Sequence, residues 1–380
     1  MSIPLSAPDV TEADIDAVVG VLRTPRLSLG PKLEEFEEAV ARYVGVPYGV
    51  ALSSGTAGLH AGLAALGIGE GDEVILPSFT FIAVANAVLH RRARPVFADI
   101  DPRTLNLTAE SVASAITHRT RAIIAVHTFG CPVDLDPILH IAARHGVKVI
   151  EDACEAMGAE HRGRKVGGLS DFGVFGFYPN KPITTGEGGM VVTRDRQLAD
   201  TIRAIRNQGR RPADGWLDHS LLGYNYRLSE INCALGLSQM KRIDAILARR
   251  ENRAACYCEH LRTAPELTLP LFKTAEGRVC WFVFVVRLAP CFMQEDRDRI
   301  LAYMASRGIG CGCYFAPVHR QPLYAAYADR GQDLTVTEQV AERTLALPFF
   351  NRLTDDDIAE VCVTLGAAID AVRKRPPQAS

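Results

Sequence analysis

Phe175-Gly176-Phe177-Tyr178-Pro179-Asn180-Lys181-Pro182-Ile183-Thr184-Thr185-Gly186-Glu187-Gly188-Gly189-Met190 sets a single lysine between an aromatic run and a glycine-rich run, and it leads into Met190-Val191-Val192-Thr193. Those last four residues read as a buried strand. A lysine with such flanks is desolvated, which favours the neutral amine, and a neutral amine attacks carbonyl carbon. That is what a Schiff-base lysine requires. Gly186, Gly188 and Gly189 let the backbone turn tightly and pass close to a flat ring without β-carbon clashes. The competing reading, a solvated lysine in a surface turn, does not account for these flanks.

Outward from this stretch, strands and helices alternate. Glu73–Leu76, Arg94–Ala98, Ala122–Val126 and Val147–Ile150 are short apolar strands; Ile82–Leu89, Ala109–Ile116 and Pro137–His145 have helical spacing. Nearly continuous apolar strands separated by helices imply an α/β fold whose large domain is a mostly parallel sheet covered on both faces. Nearer the start, Thr11 caps a helix through Leu22, and Leu33, Phe36 and Val40 mark a second helix. After Gly49–Leu52 and the turn Ser53–Thr56, a helix with Leu59, Leu63 and Leu66 stops at Gly67. Past Leu237 a long polar helix runs through Arg253, then comes a strand over Trp281–Arg287. This change of pattern puts a domain boundary near residue 245: residues 1–245, with an irregular N-terminal arm, form the large domain and 246–380 a smaller one.

The chain has 380 residues, 48% hydrophobic and 23% charged, enough to bury a sizeable core, and a net charge of −2. That balance argues against a nucleic-acid groove or an anionic membrane as partner. The longest apolar run, around Trp281–Val286, is far too short to span a bilayer. With no signal-peptide pattern in Met1–Leu5, a cytoplasmic protein is the plain reading. The ten cysteines are scattered, and Cys256/Cys258 and Cys311/Cys313 have C-x-C rather than C-x-x-C spacing, so buried reduced thiols are expected and no metal site.

Asp152 stands at the carboxyl end of a central strand, where open α/β sheets hold ligands. A carboxylate there can keep a pyridine nitrogen protonated; the alternative is a helix cap. Ser53-Ser54-Gly55-Thr56-Ala57 follows a strand and opens a helix, a ready phosphate site, although serine and threonine cap many helices. Phe81 can stack on a flat cofactor or serve the core. His127, at a strand end, and His319, in a proline-flanked loop, are candidates to approach substrate.

S-G-T-A at 54–57, T-F-I-A at 80–83, E-D-A-x-x-A at 151–156, K-x-x-T-T-G-E-G-G at 181–189 and G-Y-N-Y-R at 223–227, in this order, resemble the DegT/DnrJ/EryC1/StrS family of sugar aminotransferases, within the fold-type I pyridoxal-phosphate enzymes. Phe315–His319 is also similar to that family. The resemblance implies that Lys181 holds pyridoxal 5'-phosphate (PLP) and shuttles a proton, and that Asp152 binds the pyridine nitrogen. It implies that Thr56 and Ala57 bind the phosphate, with Ser54 and Gly55 beside them in the cofactor site and Phe81 stacked on the ring, and that Asn225 reaches the phosphate of a dimer partner. L-glutamate or glutamine would donate the amino group, and a keto-sugar, usually nucleotide-linked, would accept it. Two positions depart from the family pattern. Gly176 stands where a serine is common, which removes one hydroxyl from the phosphate. Glu155 replaces a glutamine or histidine; one helical turn past Asp152 it would face the ring or its 3-oxygen and carry or share a proton. A glutamate there resembles relatives that aminate C-4 of 4-keto-6-deoxy sugars. A keto-inositol substrate and a PLP-bound regulator without turnover are alternatives; a sugar 3-dehydratase is disfavoured, because histidine replaces the lysine in those relatives.

Overall fold

Seven short strands form the central sheet: β1 (Tyr48–Leu52), β2 (Glu73–Pro77), β3 (Arg94–Ala98), β4 (Thr120–Val126), β5 (Lys148–Asp152), β6 (Phe172–Gly176) and β7 (Gly189–Thr193). They come from a computed structural model that describes residues 2–211, 215, 218–275, 277–327 and 332–373. Their order is β1-β7-β6-β5-β4-β2-β3. Only β7 is reversed, antiparallel to β1 and β6, and all other neighbours are parallel. The alternation of apolar strands and helical spacing predicts this sheet.

Helices cover both faces: α1 (Glu12–Leu22), α2 (Pro31–Val44), α3 (Gly55–Ala65), α4 (Ala83–His90), α5 (Ala109–Ala115), α6 (Leu135–His145), α7 (Arg196–Arg206) and α8 (Glu230–Met240). Side chains alternate across a strand, so Ile124 and Ile150 enter the core under α3, α4 and α7, while Ile123 and Val149 enter the core under α5 and α6. Leu33, Phe36, Val40 and Val44 bury one face of α2, and full burial of a side chain such as Phe36 contributes roughly 2–3 kcal/mol. Thr11 begins α1 as expected, with its backbone N–H donating to Asp14 at 2.9 Å. The buried carboxylate of Glu230 accepts from the Gly30, Lys32 and Leu33 amides, which satisfies the start of α2. Gly62 lets α3 settle on the sheet, because a β carbon there would lie 2.2 Å from the Phe172 ring.

The long polar helix expected past Leu237 is two helices, broken at Lys241-Arg242: α8, and α9 (Ile243–Leu261). Residue 245 falls in the first turn of α9. Ile243 and Ile246 belong to the core beneath α2, whereas Ala254, Tyr257 and Leu261 belong to a second core around an antiparallel sheet. That sheet is β8 (Leu267–Thr268), β9 (Phe284–Leu288) and β10 (Thr344–Leu347), packed by α10 (Gln294–Ser306) and α12 (Asp355–Arg373); a shorter α11 (Thr335–Ala341) precedes β10. The N-terminal arm, expected with the first domain, attaches to both: Asp9 accepts from Gln239 and Arg242 at 3.0 Å each, whereas Ile3 and Leu5 join this second core. Gly310 N–H donates to Ile3 O at 2.8 Å and Phe349 N–H to Leu5 O at 2.9 Å, and Ile3 is buried there. Among the described residues no helix is long and apolar enough to cross a membrane. Cys131, Cys233, Cys280 and Cys362 are buried free thiols; Cys291 and Cys313, expected buried, are exposed because they lie in loops outside the cores.

Candidate active site

Between β6 and β7 the chain loops out and back, and side-chain hydrogen bonds hold the loop. Thr184 Oγ1 donates to the Phe177 carbonyl at 2.9 Å and accepts from Gly186 N–H at 2.9 Å. Thr185 Oγ1 donates to the Glu187 carbonyl at 2.7 Å, and Asn232 of α8 donates to the Thr185 carbonyl at 2.6 Å. Gly186 sits at φ +82°, a left-handed conformation that suits glycine. Gly189 passes so near the turn before α3 that a β carbon would lie 2.3 Å from the Ser54 carbonyl. The glycines and threonines of this segment thus fix the base on which Lys181 stands.

Lys181 opens into a cavity of about 340 Å³ outside the carboxyl ends of the parallel strands, lined also by Asp152, Glu155, Ser54, Gly55, Thr56 and Phe81. Its Nζ lies 3.6 Å from Glu155 Oε1 and 3.9 Å from the centroid of Phe282, with the side chain 14% exposed. Asp152 ends the fourth strand of seven, in register with Val126 and Val174. Its Oδ1 accepts the Cys154 amide at 3.0 Å. The residues after it form turns and no helix, so neither a helix cap at Asp152 nor a helical turn to Glu155 is present. Glu155 instead faces Lys181 and accepts the Phe129 amide at 3.0 Å. Burial pushes the Glu155 carboxyl above the usual range against the pull of Lys181 and the Phe129 amide, and Asp152 adds to the rise.

Ser54 caps α3, its Oγ accepting the Ala57 amide at 3.0 Å. Ser54, Gly55 and Thr56 line the cavity, while Ala57 is buried beneath them with its amide already bonded. Phe81 stands 61% exposed at the mouth.

Two histidines and one asparagine lie elsewhere. His127 is fully buried and off the cavity; Val133 N–H donates to its Nδ1 at 3.0 Å, which leaves the proton on Nε2 to donate to Glu151 at 3.2 Å. His319 also lies outside the cavity, with Nδ1 2.6 Å from Ser78 Oγ and Nε2 3.0 Å from Glu338 Oε1. Both rings are spent on structural bonds, which corrects the expectation that they approach substrate. Asn225 is exposed, bridged to Asn207, and does not line the cavity of its own chain. Within the Asn207–Tyr226 segment, residues 212–214 and 216–217 lie outside the described ones.

The sequence reading missed Phe282, Tyr314, Phe315, Tyr178 and Asn180 as lining residues. Phe282 was placed in a strand, but β9 starts only at Phe284. Buried Arg250 of α9 takes the extended segment away, donating to the carbonyls of Trp281 at 2.7 Å and Phe282 at 2.8 Å, and the Phe282 ring lies under the lysine. Nothing local in the sequence signals this; a buried arginine far upstream decides it. Phe315, four residues before His319, was the member of that similar segment that reaches the cavity.

A flat phosphorylated aldehyde fits these residues. Lys181 supplies the amine, Asp152 a carboxylate at a strand end, Ser54 to Thr56 a helix start, and Asn180 a buried Oδ1 without a protein partner among the described residues. Fold and site together define a PLP-dependent enzyme of fold type I. The sequence pattern of the DegT/DnrJ/EryC1/StrS aminotransferase family matches residues 8–366, and the chain belongs to this family of PLP-dependent sugar aminotransferases. It is 41% identical over 365 residues to the GDP-perosamine synthase of Caulobacter vibrioides, covering 96% of this chain and 97% of that one. Helicobacter pylori PseC, an aminotransferase involved in the biosynthesis of pseudoaminic acid, superposes with a TM-score of 0.92 at 27% identity, covering 98% of this chain and 100% of that one. A Streptococcus pneumoniae structure solved in its PLP form superposes at 0.91 with 27% identity and covers 98% and 100%.

Proposed function

We propose that the enzyme moves an amino group from L-glutamate to C-4 of a nucleotide-linked 4-keto-6-deoxy sugar. The observation that carries this reading is Glu155 facing Lys181 across the cavity; the 41% identity to a GDP-perosamine synthase supports it. When bound, PLP supplies the electron sink that makes a neighbouring C–H bond acidic. Asp152 would hold the ring nitrogen charged from the end of β5. Lys181 would take the proton from the donor carbon and return it to cofactor carbon, the two positions its flexible side chain can serve. Glu155 presents Oε1 to the lysine at 3.6 Å, while its Oε2 accepts the Phe129 amide. Phe177, Phe282 and Phe315 exclude water from the same space.

The second part of the proposal is a two-fold dimer in which Asn225 of each chain completes the phosphate site of the other. Its exposure and its absence from the lining of its own chain's cavity support a role in trans.

L-Glutamate added to the PLP-loaded enzyme should shift the cofactor absorbance, and a 4-keto-6-deoxy nucleotide sugar should restore it. A thermal-shift panel of UDP-, dTDP- and GDP-sugars then ranks the nucleotide, because a ligand stabilises the fold by RT ln(1 + [L]/Kd). No spectral change with glutamate or glutamine would favour a regulator without turnover. Restoration by a keto-inositol alone would favour a cyclitol substrate.

A further inference from the structure

Helix α3 faces its own cavity with its first turn and a different structure with its second. His60, 4% exposed, lies under the rings of Tyr224 and Tyr226, which stack on each other with centroids 5.1 Å apart and planes 12° apart. His60 Nδ1 is 2.9 Å from the Tyr226 hydroxyl. Residues two apart in an extended segment point the same way and the one between them points opposite. With both tyrosines turned onto α3, Asn225 faces outward. The backbone holds this register: Ser53 N–H donates to Tyr226 O at 2.9 Å, Tyr224 N–H to Ile205 O at 2.7 Å and Tyr226 N–H to Arg206 O at 3.0 Å. Burial, with Arg91 and His90 adding to it, pulls the His60 pKa down to about 4, so the ring is neutral at neutral pH and brings no charge to the cluster.

We propose that His60 is a positioning residue: through the Tyr226 hydroxyl it fixes the segment that presents Asn225 to the cofactor phosphate of a second copy. The proposal rests on the reading of Asn225 in trans. One helix then serves two sites, its own through Ser54 to Thr56 and its partner's through His60.

The geometry makes a cis–trans distinction that a purely structural role would not. Tyr226→Phe keeps the stacked ring and removes only the hydroxyl; His60→Gln is the second variant should the first fold poorly. In homodimers either should hold PLP more weakly, by up to about tenfold, the range for one lost buried hydrogen bond, and should also lower the melting temperature of the PLP-free protein, since the bond forms without cofactor; the mixed dimers below tell the two roles apart. Mixed dimers with Lys181→Ala chains, isolated through two different tags, contain one competent lysine, that of the Tyr226→Phe chain. A role in trans predicts wild-type PLP affinity at that site, because its Asn225 comes from the Lys181→Ala chain. A role through the chain's own α3 predicts the weakened affinity, which would overturn the proposal, as would a homodimer that titrates like wild type. The parallel mixture of Asn225→Asp with Lys181→Ala separates the two readings. If that pair, co-expressed and co-purified as mixed dimers, shows no rescued site, the shared site itself is wrong. If it is rescued while Tyr226→Phe is not, only the assignment of His60 fails.

Discussion

Asp152 points from the end of β5 into the cavity, and Glu151, one residue earlier, points to the opposite face of the sheet. Glu151 accepts from the amides of Gly167 at 2.6 Å, Leu169 at 2.8 Å and Ser170 at 3.0 Å, from Ser170 Oγ at 3.0 Å, and from His127. Asp152 and Glu155 each accept one backbone amide. Burial raises the pKa of any carboxyl, yet Glu151 lies below the usual range, because the hydrogen bonds from His127 and from the Gly167 and Leu169 amides outweigh burial. Glu155, with fewer donors, lies above it. Two buried acid regions within a few residues therefore differ in how many donors the protein itself supplies and in the second carboxylate, Asp152, that stands beside Glu155. The fully supplied one holds the fold, and the undersupplied one faces the cavity.

The largest effect belongs to the cavity side. Lys181→Ala should reduce kcat by about a thousandfold or more, the range for removing a positioned proton-transfer group, and abolish the absorbance of lysine-linked PLP. Its melting temperature should stay near wild type, since the amine's close partners are Glu155 and a ring face. Turnover at the wild-type rate would end the assignment.

The comparison itself is broken or upheld by one pair of substitutions. Asp152→Asn should cost about a hundredfold or more in kcat, as losing preorganised charge stabilisation does, with a small change in stability. Glu151→Gln should do the reverse: about 2–4 kcal/mol of stability for an amide set among donors, and an unchanged kcat per folded molecule. The sign with pH follows from the depressed pKa of Glu151. Its contribution is fully present above the unfolded value of about 4.3 and is lost as pH falls through the lower folded value. Melting curves should therefore separate wild type from Glu151→Gln at pH 6 and converge toward pH 3. A variant equally less stable at both would show that charge is not what the nest holds.

Glu155→Gln is a gentler probe. A raised pKa means the carboxyl is the protonated form below its folded value, and glutamine copies that form. Activity should fall less than tenfold, least at the acid end of the pH–rate profile, where wild type carries the same neutral form, and the profile should flatten relative to wild type. A profile of unchanged shape would assign the pH dependence to other groups.

Much of this was legible in the chain because it depends on local pattern. Alternating apolar strands, the Thr184-Thr185-Gly186 loop, and the presence of Asp152 and Lys181 in one cavity are written in short segments whose geometry follows from residue type. What escaped depends on distant partners. His127 looked available until Glu151 and the Val133 amide claimed both its nitrogens. Phe282 looked like strand until Arg250 took the neighbouring carbonyls. The arm, Ile3 to Leu5, had no periodicity to announce its pairing with residues 308–310 and 349. Glu155 was legible as a site residue, but its partner was not, since the turn after Asp152 aims it at the lysine rather than along a helix.

The smallest expected effect concerns the family's missing hydroxyl. Gly176 ends β6 beside the start of α3 and lines the cavity. A β carbon there would meet Cys154 Cβ and Sγ at 3.4 Å, ordinary contact, and its φ is not among the positive ones. Gly176→Ser should therefore fit without moving the strand and place a donor where the phosphate would lie. PLP affinity should rise about two- to tenfold, one hydrogen bond's worth. Serine in place of glycine at a strand end also stabilises by reducing the freedom of the unfolded chain, by up to about 1 kcal/mol. That part is present with or without cofactor, so the two are separable. The melting temperature of the PLP-loaded variant should rise by more than that of the PLP-free variant, each against its own wild type. Equal rises would mean the hydroxyl never meets the phosphate, and that the turn at Ser54 to Thr56 satisfies it already.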